Sequence, residues 1–458
     1  MAAQFGTSGL RGLVTDLTPD LVAAHVRAFI ASCDVGTGLF VGQDLRPSSP
    51  RLAADIAQAA RSMGVTVTDA GSVPTPALAL AAMSQGAGAI MVTGSHIPAD
   101  RNGLKFYTPQ GEITKAHEQA ITAALGTSAE NPVSETNPLR RNDTAGPDFV
   151  ARYLQGCGTG RLAGRRIGLY SHSAVGRDLL AEILTGLGAE VTELGRSEHF
   201  IPVDTEAVDP ATRTQITAWV AEHGLDALVS TDGDSDRPLL ADETGRIVPG
   251  DIMGQITAEA LQAEAVVTPV SSNSGILHKG VGRVLRTRIG SPYVIAGMEE
   301  LGGRVAGYEA NGGFLLGFEA RGPAGPLPAL RTRDCILPLI MTLIAAGDAP
   351  LSRRVAQEPP VVTVADRLQD IAQEKSGPLI RDLSENPAAR AEFLAALDAA
   401  EGSCDLTDGV RMTLQDGRVV HVRPSGNAPE LRLYVEAQQE EAARALLAAG
   451  LAHLRHIL

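Results

Sequence analysis

The sequence feature that most constrains this chain is an apolar run that stops abruptly at three alternating aspartates. The run Leu225–Val229 is apolar apart from Asp226, and Asp232, Asp234 and Asp236 follow closely, with Arg237 next. A short apolar run bounded by glycine and polar residues predicts a buried parallel strand. Three carboxylates crowded at its end repel one another and are costly to desolvate without a partner. A divalent cation is the simplest compensation, and all-oxygen ligands favour a hard ion such as Mg2+.

Two other interpretations compete with a metal site in this aspartate loop. A solvated acidic hairpin would use Asp and Gly only to make a turn. A calcium-binding EF-hand loop would use the same aspartates and Glu243, but its sixth position needs glycine and is Arg237 here. Strands rather than helices are predicted on both sides, so the EF-hand is rejected.

The overall charge and length exclude several classes of protein. The 458 residues carry 39 Lys and Arg against 53 Asp and Glu, a net charge of -14, which disfavours nucleic-acid and anionic-membrane partners. The length predicts three or four domains. Scattered cysteines without a paired motif, no apolar leader and no apolar run long enough to span a bilayer predict a cytoplasmic protein.

Strands and helices alternate through three consecutive blocks of the chain. Each block delivers a glycine-bounded strand to a polar loop, at residues 93–96, 231–234 and 308–313. This weak internal repeat indicates a triplicated α/β domain, and ligands bind beyond the carboxyl ends of strands in such sheets. Helices are predicted at Pro19–Ser32, Pro50–Met63, Pro76–Ser84, Thr332–Ala346 and from Glu440 onward, and a linker at 126–147.

The first polar loop places Ser95 and His96 directly after a strand, and Lys105 follows a few residues later. Ser95 is either a nucleophile or phosphate carrier, or a residue that merely caps a turn. The loop lacks the second glycine of a hydrolase nucleophile elbow. Near the start of the chain, glycines surround Arg11, which lets the backbone approach a ligand within reach of the guanidinium, although a plain turn has the same composition.

A fourth block, from residue 358, predicts a smaller α+β domain equipped to hold phosphate. A strand near Val419 leads to Arg423, Ser425, Asn427 and Arg432. Guanidinium, hydroxyl, amide and backbone N–H donors together bind phosphate groups. An ordinary charged hairpin has the same appearance, so this segment alone does not decide between the two.

Five motifs, taken in order along the chain, resemble those of the α-D-phosphohexomutases. They are Phe5-Gly-Thr-Ser-Gly-Leu-Arg-Gly12, Thr93-Gly-Ser-His-Ile-Pro98, Asp232-Gly-Asp-Ser-Asp-Arg237, Glu309-Ala-Asn-Gly312 and Arg423-Pro-Ser-Gly-Asn427. The resemblance covers essentially the whole chain. Within the family, the opening motif is most similar to the bacterial phosphomannomutase/phosphoglucomutase group.

The resemblance implies three related α/β domains with mixed sheets and a C-terminal α+β domain of the TATA-binding-protein-like type around a central cleft. The expected domains are 1–147, 148–246, 247–357 and 358–458. The implied reaction is reversible phosphoryl transfer between the 1- and 6-positions of a hexose phosphate, with mannose phosphate favoured over glucose phosphate. It would proceed through a phosphoserine and a hexose 1,6-bisphosphate, which is also a candidate activator. Neither nucleic acid nor membrane is expected as a partner, and the protein is expected to be a monomer or homodimer.

The resemblance also implies a role for particular residues. The catalytic candidates are Ser95, His96, Arg11, Lys105 and Arg237. The implied ligands of one Mg2+ ion are Asp232, Asp234, Asp236 and an oxygen of phosphorylated Ser95. The substrate-binding candidates are Glu309, Asn311, Gly290, Arg423, Ser425, Gly426, Asn427 and Arg432.

Several positions depart from the usual pattern of the family. The sugar-binding motif has Asn311 and Gly313 where Ser and His are usual, which is closer to the phosphoacetylglucosamine mutases. Gly94 replaces a common Ala, and Asn427-Ala-Pro replaces Thr-Glu-Pro. The alternatives are therefore a phosphoglucosamine or phosphoacetylglucosamine mutase, a non-catalytic sugar-phosphate-binding protein, or a Mg2+-dependent phosphatase.

Overall fold

The sheets of the protein divide the chain into four consecutive units. The computed structural model describes residues 3–6, 9–126, 137–425 and 429–458. Mixed sheets carry the first three units, and an antiparallel sheet carries the fourth. The predicted fold class, three α/β units followed by an α+β unit, is confirmed.

The first unit is a mixed eight-stranded sheet flanked by helices. Its elements are β1 (Gln4–Gly6), β2 (Gly9–Leu13), α1 (Pro19–Ser32), β3 (Leu39–Gln43), α2 (Ser49–Ser62), β4 (Val67–Ser72), α3 (Thr75–Ser84), β5 (Gly88–Val92), β6 (Arg101–Thr108), β7 (Gly111–Glu112), α4 (Lys115–Ala124) and β8 (Arg140–Arg141). The strand order is β1-β2-β6-β5-β3-β4-β8, with β7 beside β6. Thr18 caps α1 by accepting the Leu21 N–H, as expected where proline occupies the first turn.

The second unit places the aspartate loop at the end of a hairpin. Its elements are α5 (Ala145–Cys157), β9 (Arg166–Tyr170), α6 (Arg177–Gly186), β10 (Glu190–Leu194), α7 (Pro210–His223), β11 (Ala227–Thr231) and β12 (Pro238–Asp242). The sheet order is β10-β9-β11-β12, with β11 parallel to β9 and antiparallel to β12. Strands therefore flank the aspartates on both sides, whereas an EF-hand loop would lie between two helices.

The third unit repeats this plan with an additional strand. Its elements are α8 (Gly250–Ala260), β13 (Ala265–Pro269), a 3-10 turn (Ser274–His278), β14 (Arg283–Thr287), α9 (Ser291–Leu301), β15 (Val305–Tyr308), β16 (Phe314–Leu316), β17 (Ala320–Arg321), β18 (Pro326–Leu327), β19 (Leu330–Asp334), α10 (Ile336–Ala346) and α11 (Leu351–Val355). The main sheet runs β14-β13-β15-β16-β19, and β17 pairs with β18.

The fourth unit is a five-stranded antiparallel sheet in the order β20-β24-β23-β22-β21. Helices accompany it. Its elements are β20 (Val362–Leu368), α12 (Gln373–Glu385), α13 (Pro387–Ala395), β21 (Glu401–Asp405), β22 (Val410–Leu414), β23 (Val419–Pro424), β24 (Leu431–Ala437) and α14 (Glu440–Ile457). The sheet and helices enclose a separate apolar core, whereas one continuous core runs through the other three units.

Two predicted segments differ from the structure. The predicted helix Thr332–Ala346 begins only at Ile336, because Thr332 and its neighbours pair with β16 as part of β19. Of the predicted linker 126–147, residues 127–136 lie outside the described residues; the remainder contains β8, which pairs with β4, and the start of α5. In both cases sheet pairing with a distant strand overrides the local pattern. Within the described residues, no helix combines the length and apolar character that crossing a bilayer requires.

Candidate active site

The three aspartates lie in the turn that joins β11 to β12, where Thr231 pairs with Pro238 across the hairpin. All three side chains are buried, and each offers a carboxylate oxygen within 4.8 Å of the others. The N–H groups of Asp236 and Arg237 both donate to Asp232 Oδ1 at 3.2 Å. The backbone of the turn therefore fixes the carboxylate of Asp232.

Lys105 neutralises part of this carboxylate cluster. It lies on β6 opposite Met91 of β5, and its ammonium donates to Asp234 Oδ2 at 2.6 Å and to Asp236 Oδ2 at 2.5 Å. Asp234 also accepts a hydrogen bond from the Thr75 hydroxyl. Lys105 therefore contacts two of the three buried carboxylates and compensates part of their charge.

Neighbouring charges give two of the buried carboxyl groups opposite pKa shifts. Burial, together with repulsion from Asp234 and Asp236, holds the pKa of Asp232 well above its ordinary value. Burial acts in the same direction on Asp236, but the charges of Arg333 and Lys105 outweigh it and hold the Asp236 pKa well below its ordinary value. One member of the cluster is thus easily protonated and another is firmly ionised, as expected when like charges share a buried site.

Ser95 faces the aspartates from the loop after β5. Its hydroxyl is buried, donates to Asp232 Oδ2 at 2.5 Å, and lies 3.2 Å from His96 Nδ1. The Ser95 backbone has a φ of 54°, in the left-handed region that non-glycine residues seldom adopt. Thr93 Oγ1 accepts the Ser95 N–H at 2.7 Å and holds this conformation. The serine of the first unit and the aspartates of the second are therefore in direct contact.

Arg46, which the sequence reasoning missed, holds the serine loop in place. Its buried side chain pairs with Asp44 at 3.1 Å. Its two terminal nitrogens donate to four carbonyl oxygens within residues 95–101 at 2.6–2.9 Å. Gly94 provides the space, because a Cβ there would lie 2.6 Å from the Arg46 guanidinium carbon. The sequence signal that could have indicated this arginine is its position two residues after an aspartate at the end of β3.

Arg237 and His96 form a second contact between the first two units. Arg237 Nη1 donates to His96 Nδ1 at 3.0 Å. Burial, reinforced by the charges of Arg237 and Arg11, lowers the pKa of His96 to about 3, so the imidazole is neutral at neutral pH. Arg11 lies opposite Gly103, which leaves room for the Arg11 stem. Burial together with Arg237 and Arg333 lowers the pKa of Arg11 to about 10, so its guanidinium remains charged.

A cavity of about 920 Å³ lies beside His96 and Arg237 and receives side chains from all four units. Ser95, Lys105 and the aspartates lie buried next to these lining residues. Gly426 and Asn427 lie outside the described residues. The predicted site residues that line the cavity are Arg11, His96, Arg237, Gly290, Glu309, Asn311, Arg423, Ser425 and Arg432.

Glu309 and Asn311 lie in a tight turn between β15 and β16. Gly312, with a φ of 84°, donates its N–H to the Glu309 carbonyl oxygen at 2.9 Å. The Gly313 N–H donates to Asn311 Oδ1 at 3.0 Å. Glu309 Oε2 is buried and has no hydrogen-bond partner within the described part of the chain. A carboxylate oxygen so placed in the cavity wall is suited to accept a hydrogen bond from a ligand hydroxyl.

Three arginines form a row across the sheet of the fourth unit. Arg432 on β24 lies opposite Arg423 of β23 on one side and opposite Arg367 of β20 on the other. All three arginines line the cavity. Both Arg367 and Arg432 pair with Glu430, at 3.2 and 3.3 Å. The structure thus places Arg423 and Arg432 on adjacent strands rather than within one loop. Like charges directly opposite each other destabilise a sheet, so a bound anion would stabilise this row.

Asp408 joins the third unit to the fourth beside these arginines. One of its oxygens accepts the Ile289 N–H at 3.0 Å, and the other lies 2.9 Å from Arg423 Nε. Gly290, the residue after Ile289, has a φ of 129° that favours glycine. The predicted residues Gly290 and Arg423 therefore share one wall of the cavity.

Sequence reasoning missed several further residues around the cavity. Arg333, on β19, pairs with Asp236 at 3.0 Å. The others lack a local motif, because each is one charged residue in an ordinary loop, strand or helix. They are Asp204, Glu206, Arg367 and Lys375.

The aspartate cluster fits a divalent cation. Asp234 Oδ1 and Asp236 Oδ1 are buried and have no hydrogen-bond partner among the residues described. Buried carboxylate oxygens of this kind are costly unless a cation or donor compensates them. An all-oxygen set favours Mg2+ over zinc or copper.

Comparisons with known proteins identify the four units. The profiles of Phosphoglucomutase/phosphomannomutase, alpha/beta/alpha domains I, II and III match residues 2–132, 149–245 and 249–361, and the C-terminal domain profile matches 379–453. A phosphoglucomutase/phosphomannomutase family protein from Burkholderia thailandensis has the same fold, with a TM-score of 0.78, 22% identity, and coverage of 100% of this chain and 98% of its own. The fold and domain set define an isomerase of the phosphohexomutase class.

Relatives that match along the whole chain narrow this class further. A phosphomannomutase of Sinorhizobium fredii is 46% identical over 99% of both chains. A phosphomannomutase of Salmonella muenchen is 42% identical over 95% of this chain and 92% of its own. A phosphoglucosamine mutase of Synechococcus is 30% identical over 95% and 92%. The chain belongs to the phosphoglucomutase/phosphomannomutase family.

Proposed function

We propose that this protein interconverts the 1- and 6-phosphates of a hexose through a phosphoserine at Ser95, with mannose phosphate as its preferred substrate. The observation that carries the proposal is the contact between the buried Ser95 hydroxyl and Asp232, at 2.5 Å, beside a cavity lined by four units. The Sinorhizobium and Salmonella relatives, at 46% and 42% identity, are both named phosphomannomutase, which favours mannose phosphate.

The proposed reaction consists of two successive phosphoryl transfers, the first from Ser95 to the sugar and the second from the sugar back to Ser95. In the first, the bond between phosphorus and Ser95 Oγ breaks and a bond from phosphorus to a sugar hydroxyl oxygen forms. The proton of that hydroxyl is released as Ser95 Oγ regains one, and the product is a hexose 1,6-bisphosphate. After the sugar turns over in the cavity, the other phosphate returns to Ser95. Phosphoryl transfer of this type depends mainly on positioning and charge stabilisation.

Asp232, Asp234, Asp236 and an oxygen of phosphorylated Ser95 would hold Mg2+. When bound, Mg2+ supplies Lewis-acid polarisation of the phosphoryl oxygens. The protein's own cations have a complementary role. Lys105 orients two of the aspartates through its hydrogen bonds, and the guanidinium groups of Arg11 and Arg237 stabilise negative charge on the phosphoryl group.

The remaining candidates divide between the sugar and its second phosphate. Glu309 and Asn311 are proposed to bind sugar hydroxyls through their carboxylate and amide groups. The donors proposed for the phosphate that is not reacting are Arg423, Ser425, Gly426, Asn427 and Arg432, with Gly290 in the adjoining wall. Arg367 belongs to the same group because it extends the arginine row.

Replacement of Ser95 tests the phosphoserine. Ser95→Ala should abolish hexose-phosphate interconversion and the mass gain of one phosphoryl group, while circular dichroism and the melting temperature stay close to wild type. Ser84→Ala, a replacement at the end of α3, is the control and should keep both activity and phosphorylation. Full activity in Ser95→Ala would disprove the phosphoserine route.

A phosphoglucosamine or phosphoacetylglucosamine mutase is the alternative that Asn311 favours. Measuring kcat/KM for mannose, glucose, glucosamine and N-acetylglucosamine phosphates on the same preparation separates the candidates. Binding without interconversion, even after addition of hexose 1,6-bisphosphate, would instead identify a non-catalytic binding protein. The cytoplasmic location, the monomer or homodimer and the four domain boundaries remain predictions.

A further inference from the structure

Arg333 lies where the first three units meet. It belongs to β19, and its side chain is 1% exposed. Its Nη2 lies 3.0 Å from Asp236 Oδ2 in the aspartate loop, and its Nη1 lies 3.6 Å from Glu309 Oε2. Its Nε lies 3.6 Å from Glu112 Oε1, on β7 of the first unit. One guanidinium group thus contacts carboxylates that belong to three different units.

Glu112 anchors the base of this arginine. Its Oε1 accepts the Arg333 N–H at 3.1 Å and the Thr332 hydroxyl at 2.9 Å. Its Oε2 accepts the Ser291 hydroxyl at 2.7 Å. Because both carboxylate oxygens are fixed by neighbours, the backbone and the inner part of the Arg333 side chain have a defined position.

Gly313 provides the path along which the Arg333 side chain reaches the site. A Cβ at position 313 would lie 2.9 Å from Arg333 Cγ and 3.0 Å from Cδ. Gly313 is not among the residues with positive φ, so glycine is needed there for space rather than for backbone conformation. The arginine stem and the glycine therefore form a matched pair.

We infer that Arg333 is a positioning residue, which holds Glu309 towards the hexose phosphate and Asp236 towards the cation. The inference rests on the proposed function. Asp236 Oδ1, the oxygen that Arg333 Nη2 does not contact, lacks a hydrogen-bond partner within the described residues. Glu309 Oε2 also lacks one, although it lies 3.6 Å from Arg333 Nη1. The same guanidinium thus lies beside both carboxylates and leaves their hydrogen-bonding capacity to a ligand. A planar guanidinium can contact several acceptors in fixed directions, whereas an ammonium acts as a compact point charge.

The surrounding carboxylates account for a positively charged residue at this buried position. Burial alone would lower the pKa of Arg333, but the carboxylates of Asp236, Glu112 and Glu309 outweigh it, and the pKa stands well above its ordinary value. The group is therefore always charged. Removing it would leave carboxylates buried without compensation, which destabilises a fold strongly, so the test begins with a replacement that keeps the charge.

Arg333→Lys keeps the charge and loses the planar fork. We expect kcat/KM to fall by about 10- to 100-fold, the scale of a small misplacement of reacting groups, because the Asp236 and Glu309 carboxylates lose the planar cation beside them. In a Ser95→Ala background, calorimetry should show weaker binding of both mannose 6-phosphate and Mg2+. Arg331→Lys, on the exposed face of the same strand, is the matched control and should match wild type in all these values.

Gly313→Ala tests the same arginine without changing it. The added methyl group should displace the Arg333 stem and reproduce the kinetic and binding losses of Arg333→Lys. Gly377→Ala, where an added Cβ meets no atom within 4 Å, should leave them unchanged. If Arg333→Ala remains folded, guanidinium ions should restore part of its activity, and ammonium ions should not.

Wild-type kcat, KM and dissociation constants in Arg333→Lys would overturn the positioning role. Absence of mutase activity in the wild-type protein would overturn the proposed function instead. The two failures remain distinct, because the binding of mannose 6-phosphate and Mg2+ is measured without turnover.

Discussion

At one end of the cavity, Ser95 and the three aspartates are fully buried, whereas at the other end Arg367 and Arg432 keep 44% and 37% of their side chains exposed. Buried hydrogen bonds connect the first end through two units, from Arg46 to the serine loop and from Lys105 to the aspartates. The second end relies on ion pairs at the surface of one sheet. The apolar cores follow the same division, since the fourth unit has a core of its own.

The two ends differ in what holds their side chains in position. Groups in the buried end hold one another, so loss of one leaves another uncompensated in a medium of low dielectric constant. Groups in the exposed end are solvated, and each ion pair there contributes little. The buried end is therefore suited to chemistry that requires fixed geometry, and the exposed end to recognition of an anion that replaces water.

Lys105→Met should produce the largest effect among the tests of this comparison. Without magnesium it should destabilise the fold by about 3–5 kcal/mol, because Asp234 loses its buried cation and Asp236 keeps only its arginine neighbours. Added Mg2+ should recover part of that loss, whereas kcat should remain about 100- to 1,000-fold reduced. Thermal unfolding with EDTA and with Mg2+ measures the first two effects.

The control for this replacement is Lys115→Met, which removes a half-exposed ion pair with Glu118. It should change stability by less than about 1 kcal/mol. Equal destabilisation by the two replacements would show that burial does not distinguish the two lysines. It would contradict the claim that groups in the buried end stabilise one another more strongly than exposed ion pairs do.

Arg46→Lys should have the next largest effect. A lysine cannot supply the donors that four carbonyl oxygens of residues 95–101 accept, so the Ser95 conformation should relax. We expect kcat to fall by about 10- to 100-fold with little change in KM, because an effect on positioning acts on the transfer step. Steady-state kinetics measure this, and Arg51→Lys on the exposed face of α2 is the control.

Arg432→Ala should have the smallest effect and a different signature. Loss of one solvated arginine should raise KM by about tenfold, with a smaller change in kcat, because the row still contains Arg367 and Arg423. The rise should shrink as salt increases, since exposed charges are screened. A large loss of kcat at unchanged KM would show that this end takes part in the transfer step.

Much of the site was predictable because its chemistry is local in sequence. The alternation of Asp232, Asp234 and Asp236 after an apolar run indicates both a loop and a cation ligand set, and the structure places these residues together. Ser95 follows a strand in the same way. By contrast, the strand β19 was predicted as the start of a helix, because its pairing with β16 has no local signature.

The sequence by itself determined the order of the four units and the chemical type of the loops that carry Ser95 and the three aspartates. Only the tertiary structure decided that Arg46 binds the Ser95 loop, that Arg333 and Arg367 line the cavity, and that Ser95 touches Asp232. Each of these contacts joins strands or loops far apart along the chain, so its energy depends on how the sheets pack. An isolated arginine has the same local sequence pattern wherever it lies, so its neighbours are decided only when the sheets pack.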